Sequence, residues 1–293
     1  MALERKDRHP KGAMFNMIAI MFVCVVFIIM LAEQLTVSLL FQPPEASYGE
    51  TDGVIFLPRE DGETIAAFWG EAPGAKQTVF YFHGNAEDLG HIRGFLNTYR
   101  LNGFNVFSFD YRGYGLTPGD PAEYNLYQDA LTAFDYLTSE LGVDPKSVIL
   151  HGRSLGGAPA IHVADNREVG ALVAESTFRS AHKLSLPMHW IPGDKFRNEK
   201  KIAKLSLPIL LIHGMQDEVV PFSHAKGLEE AIETSMLETY WVESAGHNDL
   251  VAREGVAYWH RIRAFAGKIA DLELSDSGEA ALKEASLVIL RDY

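Results

Sequence analysis

The chain has 293 residues, 47% hydrophobic, 11% aromatic and 22% charged, with 25 Gly and 13 Pro. This excludes a disordered chain and any collagen-like or low-complexity material. One cysteine, Cys24, excludes an internal disulfide framework, and 26 Lys and Arg against 39 Asp and Glu give a net charge of −13 that disfavours a nucleic-acid partner.

The basic N-terminal segment 1–12 sets Arg5, Lys6, Arg8 and Lys11 against Glu4 and Asp7. It leads into Ala13–Ala32, AMFNMIAIMFVCVVFIIMLA, where Asn16 is the only polar residue. As a helix such a run covers about 30 Å, the thickness of a bilayer's hydrocarbon core. A buried core helix would carry a polar stripe. A cleaved signal peptide would have a shorter apolar run and a small residue where Met30 stands. The expectation is a single transmembrane helix acting as an uncleaved signal anchor. The next basic residue after it is Arg59, so the positive-inside tendency predicts a cytoplasmic N-terminus and a catalytic domain on the periplasmic, extracellular or lumenal side.

Residues 33–52 read as a polar stem. Strands are then predicted near Val54–Leu57, Thr64–Trp69, Thr78–Phe82, Asn105–Phe109, Ser147–Leu150, Ala171–Ala174, Pro208–Ile212 and Glu238–Val242. Helices are predicted near Glu87–Leu101, Ala122–Leu141, Leu155–Asp165, Phe222–Thr234 and Asp249–Ala266. The Arg59–Gly62 turn implies an antiparallel hairpin at the start, and the later strand–helix alternation implies parallel strands with crossovers. Runs such as VFYF and ILLI are apolar on both faces, which suits a sheet covered by helices on both sides. This is an α/β domain over 53–267, followed by an acidic C-terminal tail, 268–293.

Within it, SVILHGRSLGG (Ser147–Gly157) is a buried strand running into Gly152-x-Ser154-x-Gly156 and a helix-compatible segment. A serine on such a strand-to-helix turn projects its hydroxyl above the sheet, and both flanking positions need glycine to avoid collision. A serine hydroxyl needs a base, and the base needs an orienting acid. PILLI is followed by Asp217 and Glu218, and ETYWV by His247, each in the loop beyond a strand end. The chain order Ser, acid, His fits the strand-to-helix serine motif. Two backbone donors should hold a developing oxyanion. One is the N–H of Leu155, after the nucleophile, and the other comes from Asn85 or Ala86 beyond TVFYF, with Asn85 favoured. His83, His151 and His213 read as supports, His162 as a core histidine, and Asp249 as the cap of the final helix. No HExxH or other metal spacing is present.

The blocks YFHGNAEDLG, FDYRGYG, HGRSLGG, HGMQDEVVP and AGHND together resemble the α/β-hydrolase superfamily of serine hydrolases. More narrowly they resemble its bud-emergence-type branch, related to the ABHD depalmitoylases and monoacyl-lipid hydrolases. The resemblance covers about Val54 to Ala266. It implies an α/β-hydrolase fold with a mostly parallel eight-stranded sheet, Ser154, Asp217 and His247 as catalytic residues, Asn85 and Leu155 as oxyanion donors, and no cofactor or metal. Only a short cap, about 178–205, stands where many relatives insert a large lid. In FDYRGYG, Tyr111 and Arg112 are candidates for lining the site.

The reading is a membrane-anchored hydrolase of carboxylic esters, lipid esters or acyl thioesters. The alternatives are a serine peptidase or amidase on the same fold, and a non-enzymatic binding protein, which usually lacks a triad residue.

Overall fold

The computed structural model describes residues 10–184 and 194–270. The first nine residues, the Leu186–Pro192 part of the expected short cap and the tail from Asp271 lie outside the described residues.

Helix α1 runs from Pro10 to Leu40. Side chains from Met14 to Met30 are exposed, Phe15, Phe22 and Ile28 among them. Among the described residues no helix is long and apolar enough to cross a membrane. The side chains described in the apolar part of α1 run only from Met14 to Met30, leaving out those of Ala13, Leu31 and Ala32. The span expected over Ala13–Ala32 is therefore not established by the fold.

Among the described residues one sheet holds eight strands: β1 (Ile55–Pro58), β2 (Thr64–Gly70), β3 (Thr78–Phe82), β4 (Asn105–Phe109), β5 (Val148–Arg153), β6 (Ala171–Glu175), β7 (Ile209–Gly214) and β8 (Leu237–Val242). Their order is β1-β2-β4-β3-β5-β6-β7-β8. β1, β2 and β4 pair antiparallel, and every pair from β4–β3 to β7–β8 is parallel. The helices between them are α2 (Arg93–Leu101), α3 (Glu123–Ser139), α4 (Gly157–Asn166), α5 (Ala181–Leu184), α6 (Asn198–Ile202), α7 (Ser223–Ala231), α8 (Leu250–Glu254) and α9 (Val256–Ala270).

Alternation along β3 shows how the core divides. Phe80 and Phe82 join Phe107 and Phe109 on one face, under Leu126, Phe134 and Ile161 of α3 and α4. Val79 and Tyr81 point to the other face, with Tyr99 of α2 and Trp259 and Ile262 of α9. Strand side chains alternate between faces, so a strand buried on both must be apolar throughout.

Two helical boundaries depart from expectation. α2 begins at Arg93 rather than Glu87, because the Asp88 carboxylate draws the His91 N–H (3.0 Å) and the Ser47 N–H (2.6 Å) into a turn. The final helical stretch breaks at Gly255, whose φ is +51°, so it forms α8 and α9. Asp249 stands at the start of α8, not of one long helix. Its Oδ1 accepts the Gly246 N–H (2.7 Å) and its Oδ2 accepts from Arg253 (2.8 Å).

The stem also differs. Leu40 and Phe41 are buried in the main core, and Phe41 meets the Phe196 ring edge-on at 5.8 Å. Burying one such side chain contributes about 1.5–3 kcal/mol, so this stretch is part of the domain.

Candidate active site

β5 ends at Arg153, and a single 3-10 turn, Ser154–Gly156, carries the chain into α4. Ser154 has φ +53°, a conformation that costs a non-glycine residue of order 1–3 kcal/mol and persists only where surroundings impose it. Those surroundings are visible at the glycines. A Cβ on Gly152 would lie 2.3 Å from the Gly156 carbonyl oxygen, and one on Gly156 would lie 2.1 Å from that of Phe82. α4 thus packs close enough to β3 and β5 to hold the turn, and the Ser154 carbonyl accepts a bond from the Thr177 hydroxyl (2.8 Å).

The loops after β7 and β8 bring the other two groups to this turn. His247 Nε2 lies 3.0 Å from Ser154 Oγ, and His247 Nδ1 lies 2.7 Å from Asp217 Oδ2. Asp217 Oδ1 accepts the N–H groups of Val219 (2.9 Å) and Val220 (2.7 Å). Burial opposes ionisation of Asp217, but bonds from His213, His247 and Val220 outweigh it and hold the carboxyl well below the usual range. Glu218 is exposed, with its carboxylate turned toward Gly246, so the choice between the two acids falls on Asp217 by contact. With Nδ1–H donating to Asp217, Nε2 is free to accept the Ser154 proton.

The residues expected to supply the oxyanion donors belong to one cleft. Asn85, Ala86, Ser154 and Leu155 line a cavity of about 370 Å³, with apolar walls from Leu40, Phe178, Leu184 and Val219. Ala86 N–H turns back to Asn85 Oδ1 (3.2 Å), whereas among the described residues Asn85 N–H has no hydrogen-bond partner. Leu155 N–H belongs to the first helical turn after β5, where N–H groups have no partner within the helix.

The supporting histidines are in place. His83 is buried, stacked on Tyr111 at 4.0 Å, with Nδ1 against the Gly84 carbonyl (2.8 Å) and Nε2 3.3 Å from Asp110 Oδ1. Burial works against its charged form, yet Asp110 raises its pKa overall. His213 Nε2 donates to the Val220 carbonyl (2.8 Å) and His151 Nε2 meets Glu175 (3.2 Å). Tyr111 and Arg112, candidates for lining the cleft, do other work. Tyr111 donates to the His83 carbonyl (2.7 Å), and Arg112 grips the buried Asp129 carboxylate at 2.8–3.0 Å.

Sequence reasoning missed Arg153. Its guanidinium donates to Glu87 (2.8 Å), to the Asn248 side chain (2.6 Å) and to the His247 carbonyl (3.3 Å). Glu87 in turn accepts the Gly84 N–H (2.7 Å). One side chain therefore ties the serine turn to the Asn85 loop and the histidine loop. Its place beside Ser154 was the available signal, but what it reaches was not. The glycine at 84 has a related reason: a Cβ there would crowd Glu87 (2.9 Å) and Arg153 (3.1 Å).

An eight-stranded, mostly parallel sheet with a serine on the turn after its central β5, and acid and histidine on later strand ends, defines an α/β-hydrolase. The sequence matches the Hydrolase_4 family, described as serine aminopeptidase, S33, over residues 73–195. It is 40% identical over 198 residues to alpha/beta hydrolase domain-containing protein aho-3 of Caenorhabditis elegans, covering 66% of this chain and 58% of that one. It is also 40% identical over 184 residues to alpha/beta hydrolase domain-containing protein 17B of Homo sapiens, covering 61% and 63%. The chain thus spans roughly three fifths of the length of these relatives. Among solved structures, the Pyrococcus furiosus esterase Pf2001 superposes with a TM-score of 0.65 at 18% identity, over 78% of this chain and 97% of that one. A monoacylglycerol lipase of Paleococcus ferrophilus gives 0.56 at 19%, over 70% and 99%. The chain is an α/β-hydrolase of the ABHD branch.

Proposed function

We propose that this hydrolase cleaves carboxylic esters, including lipid esters and acyl thioesters, through an acyl-enzyme on Ser154. The carrying observation is the unbroken chain Ser154 Oγ, His247, Asp217 at an apolar-walled cleft. Ser154 Oγ attacks the carbonyl carbon as His247 Nε2 takes its proton. The resulting oxyanion is held by the N–H groups of Asn85 and Leu155. The alcohol or thiol leaves with the proton from Nε2, and the acyl group stays on Ser154. Water then attacks, deprotonated by the same nitrogen, and the acid departs with Ser154 regenerated.

Ser154 should be labelled by a fluorophosphonate and should hydrolyse a nitrophenyl ester series with a preference among chain lengths. Failure to label Ser154, or turnover of aminoacyl amides exceeding that of esters, would overturn this reading.

The same proposal includes a membrane anchor over Ala13–Ala32, with the N-terminus cytoplasmic and the catalytic domain on the far side. The exposed apolar side chains from Met14 to Met30 support it, since a surface of that kind calls for lipid or a partner. Retention of the full chain in membranes after carbonate washing, with residues 33–293 open to external protease in spheroplasts, is the expected result. Release into the wash refutes the anchor, and protection of the domain refutes the orientation.

A further inference from the structure

The stretch between α1 and β1 lies along the loop that carries Asn85. At one end, Asn85 Nδ2 donates to the carbonyl of Leu40 (3.1 Å), the last residue of α1. The Gln42 N–H donates to Asn85 Oδ1 (2.9 Å) and to the Tyr114 hydroxyl (3.1 Å), and that hydroxyl donates to Asn85 Oδ1 (2.6 Å). At the other end, both the N–H and the hydroxyl of Ser47 donate to Asp88, and the Tyr48 hydroxyl donates to Asp110. Asp110 also accepts the Leu89 N–H (3.0 Å), so the two ends hold the same loop.

That loop needs holding. Ala86 sits at φ +58°, a conformation that alanine adopts only under constraint. Both polar atoms of the Asn85 side chain are engaged in holding this loop, and its backbone N–H, without a hydrogen-bond partner among the described residues, belongs to a residue that lines the cleft. Leu40 lines that cleft as well. A carbonyl at a helix end has no partner within its helix, and here the partner is the side chain of Asn85, which lines the cleft together with Ser154.

We propose that Leu40–Tyr48 is a positioning strap for the oxyanion loop, so that the end of α1 is mechanically part of the active site. Asn85 and Tyr114 are its positioning side chains, acting through the Asn85 N–H. This rests on the reading of Ser154 as nucleophile and Asn85 N–H as oxyanion donor. A displaced donor stabilises the tetrahedral state less while leaving substrate binding intact, which lowers kcat and spares KM.

The test uses the full chain with Tyr114→Phe, which keeps the ring, and Phe41→Ala, which loosens the strap where it packs on Phe196. Ile262→Ala, in the opposite core layer, serves as a variant destabilised away from the site. Loss of a whole oxyanion donor costs about 10²–10³ in kcat, so a misplaced one should cost roughly tenfold. Tyr114→Phe and Phe41→Ala should each show this with KM within about twofold, and affinity for a trifluoromethyl ketone, which forms a tetrahedral adduct on the serine, should fall by the same factor. Ile262→Ala should lower Tm without moving either quantity. Wild-type kcat and inhibitor affinity in Tyr114→Phe would overturn the strap even if Phe41→Ala does not fold. So would a fall in kcat unaccompanied by weaker inhibitor binding. Fluorophosphonate labelling of wild-type Ser154 separates the two readings: labelling with no effect of Tyr114→Phe removes the strap alone, and absent labelling removes the hydrolase reading beneath it.

Discussion

The two walls of the cleft are built differently. The wall bearing Ser154, Asp217 and His247 stands on the ends of three parallel strands, β5, β7 and β8, whose register fixes where each loop emerges. The side around Asn85 is a loop that leaves the end of β3 and is held by a segment 43 residues earlier in the chain. Backbone pairing sets where every one of these loops leaves the sheet, and the Asn85 loop is held in addition by side-chain bonds from outside it. Precision in the first comes with the fold. In the second it depends on a few polar contacts that single substitutions can remove.

The largest expected effect lies on the strand-built wall. Ser154→Ala should abolish fluorophosphonate labelling and reduce ester turnover by about 10⁶-fold, as removal of the nucleophile does in a comparable triad. Full labelling of that variant would show that the nucleophile is elsewhere. Asp217→Asn follows, with a loss of roughly 10⁴ in kcat from the wrong His247 tautomer. Glu218→Gln should remain near wild type, and a larger loss there than at Asp217 would contradict the contact geometry.

Arg153 joins the two walls, so its removal should blur the contrast between them. Arg153→Met should lower kcat roughly 10- to 100-fold, in line with the cost of misplacing catalytic groups by up to about 1 Å. Arg153→Lys should recover only part, because a single ammonium cannot span Glu87 and Asn248 as a planar guanidinium does. If Tyr114→Phe and Arg153→Met act on the same loop, their losses in kcat should be less than additive, and strict additivity would mean that they hold independent parts of the site.

The smallest effect concerns stability. His162 on α4 stacks on Tyr127 at 4.0 Å, with Lys201 Nζ 3.0 Å from its Nδ1. Burial first, then the Lys201 charge, lowers its pKa to about 4. The unfolded chain takes up that proton near pH 6.5, so below this value the unfolded state binds more protons. Stability should therefore fall between pH 6.5 and 4 and then level off as the folded state is protonated too. His162→Gln should flatten that slope in Tm without altering kcat, and an unchanged slope would assign it to other groups.

Much of the sheet was legible because its signals are local. β3 and β4 match the predicted Thr78–Phe82 and Asn105–Phe109 at both ends. The reason is that an apolar run bounded by turn residues has few other conformations. Gly152 and Gly156 announced a tight strand-to-helix turn, and the close approach of the Phe82 carbonyl shows why. The break at Gly255 was less legible, since an isolated glycine inside a helical pattern is compatible with continuation.

Sequence by itself thus determined the strands, their crossovers, the serine turn and the order of serine, acid and histidine. Each depends on periodicity or steric exclusion within a few residues. Tertiary structure brought Asp217, which the family resemblance had implied, rather than Glu218 into contact with His247, and turned the Ala86 N–H back onto Asn85 Oδ1. It also made Arg153 a tie between three loops, and Leu40 and Gln42 supports of Asn85. These are hydrogen bonds between groups brought together only once the sheet has formed. A polar side chain in the sequence carries no mark of which distant donor or acceptor will satisfy it.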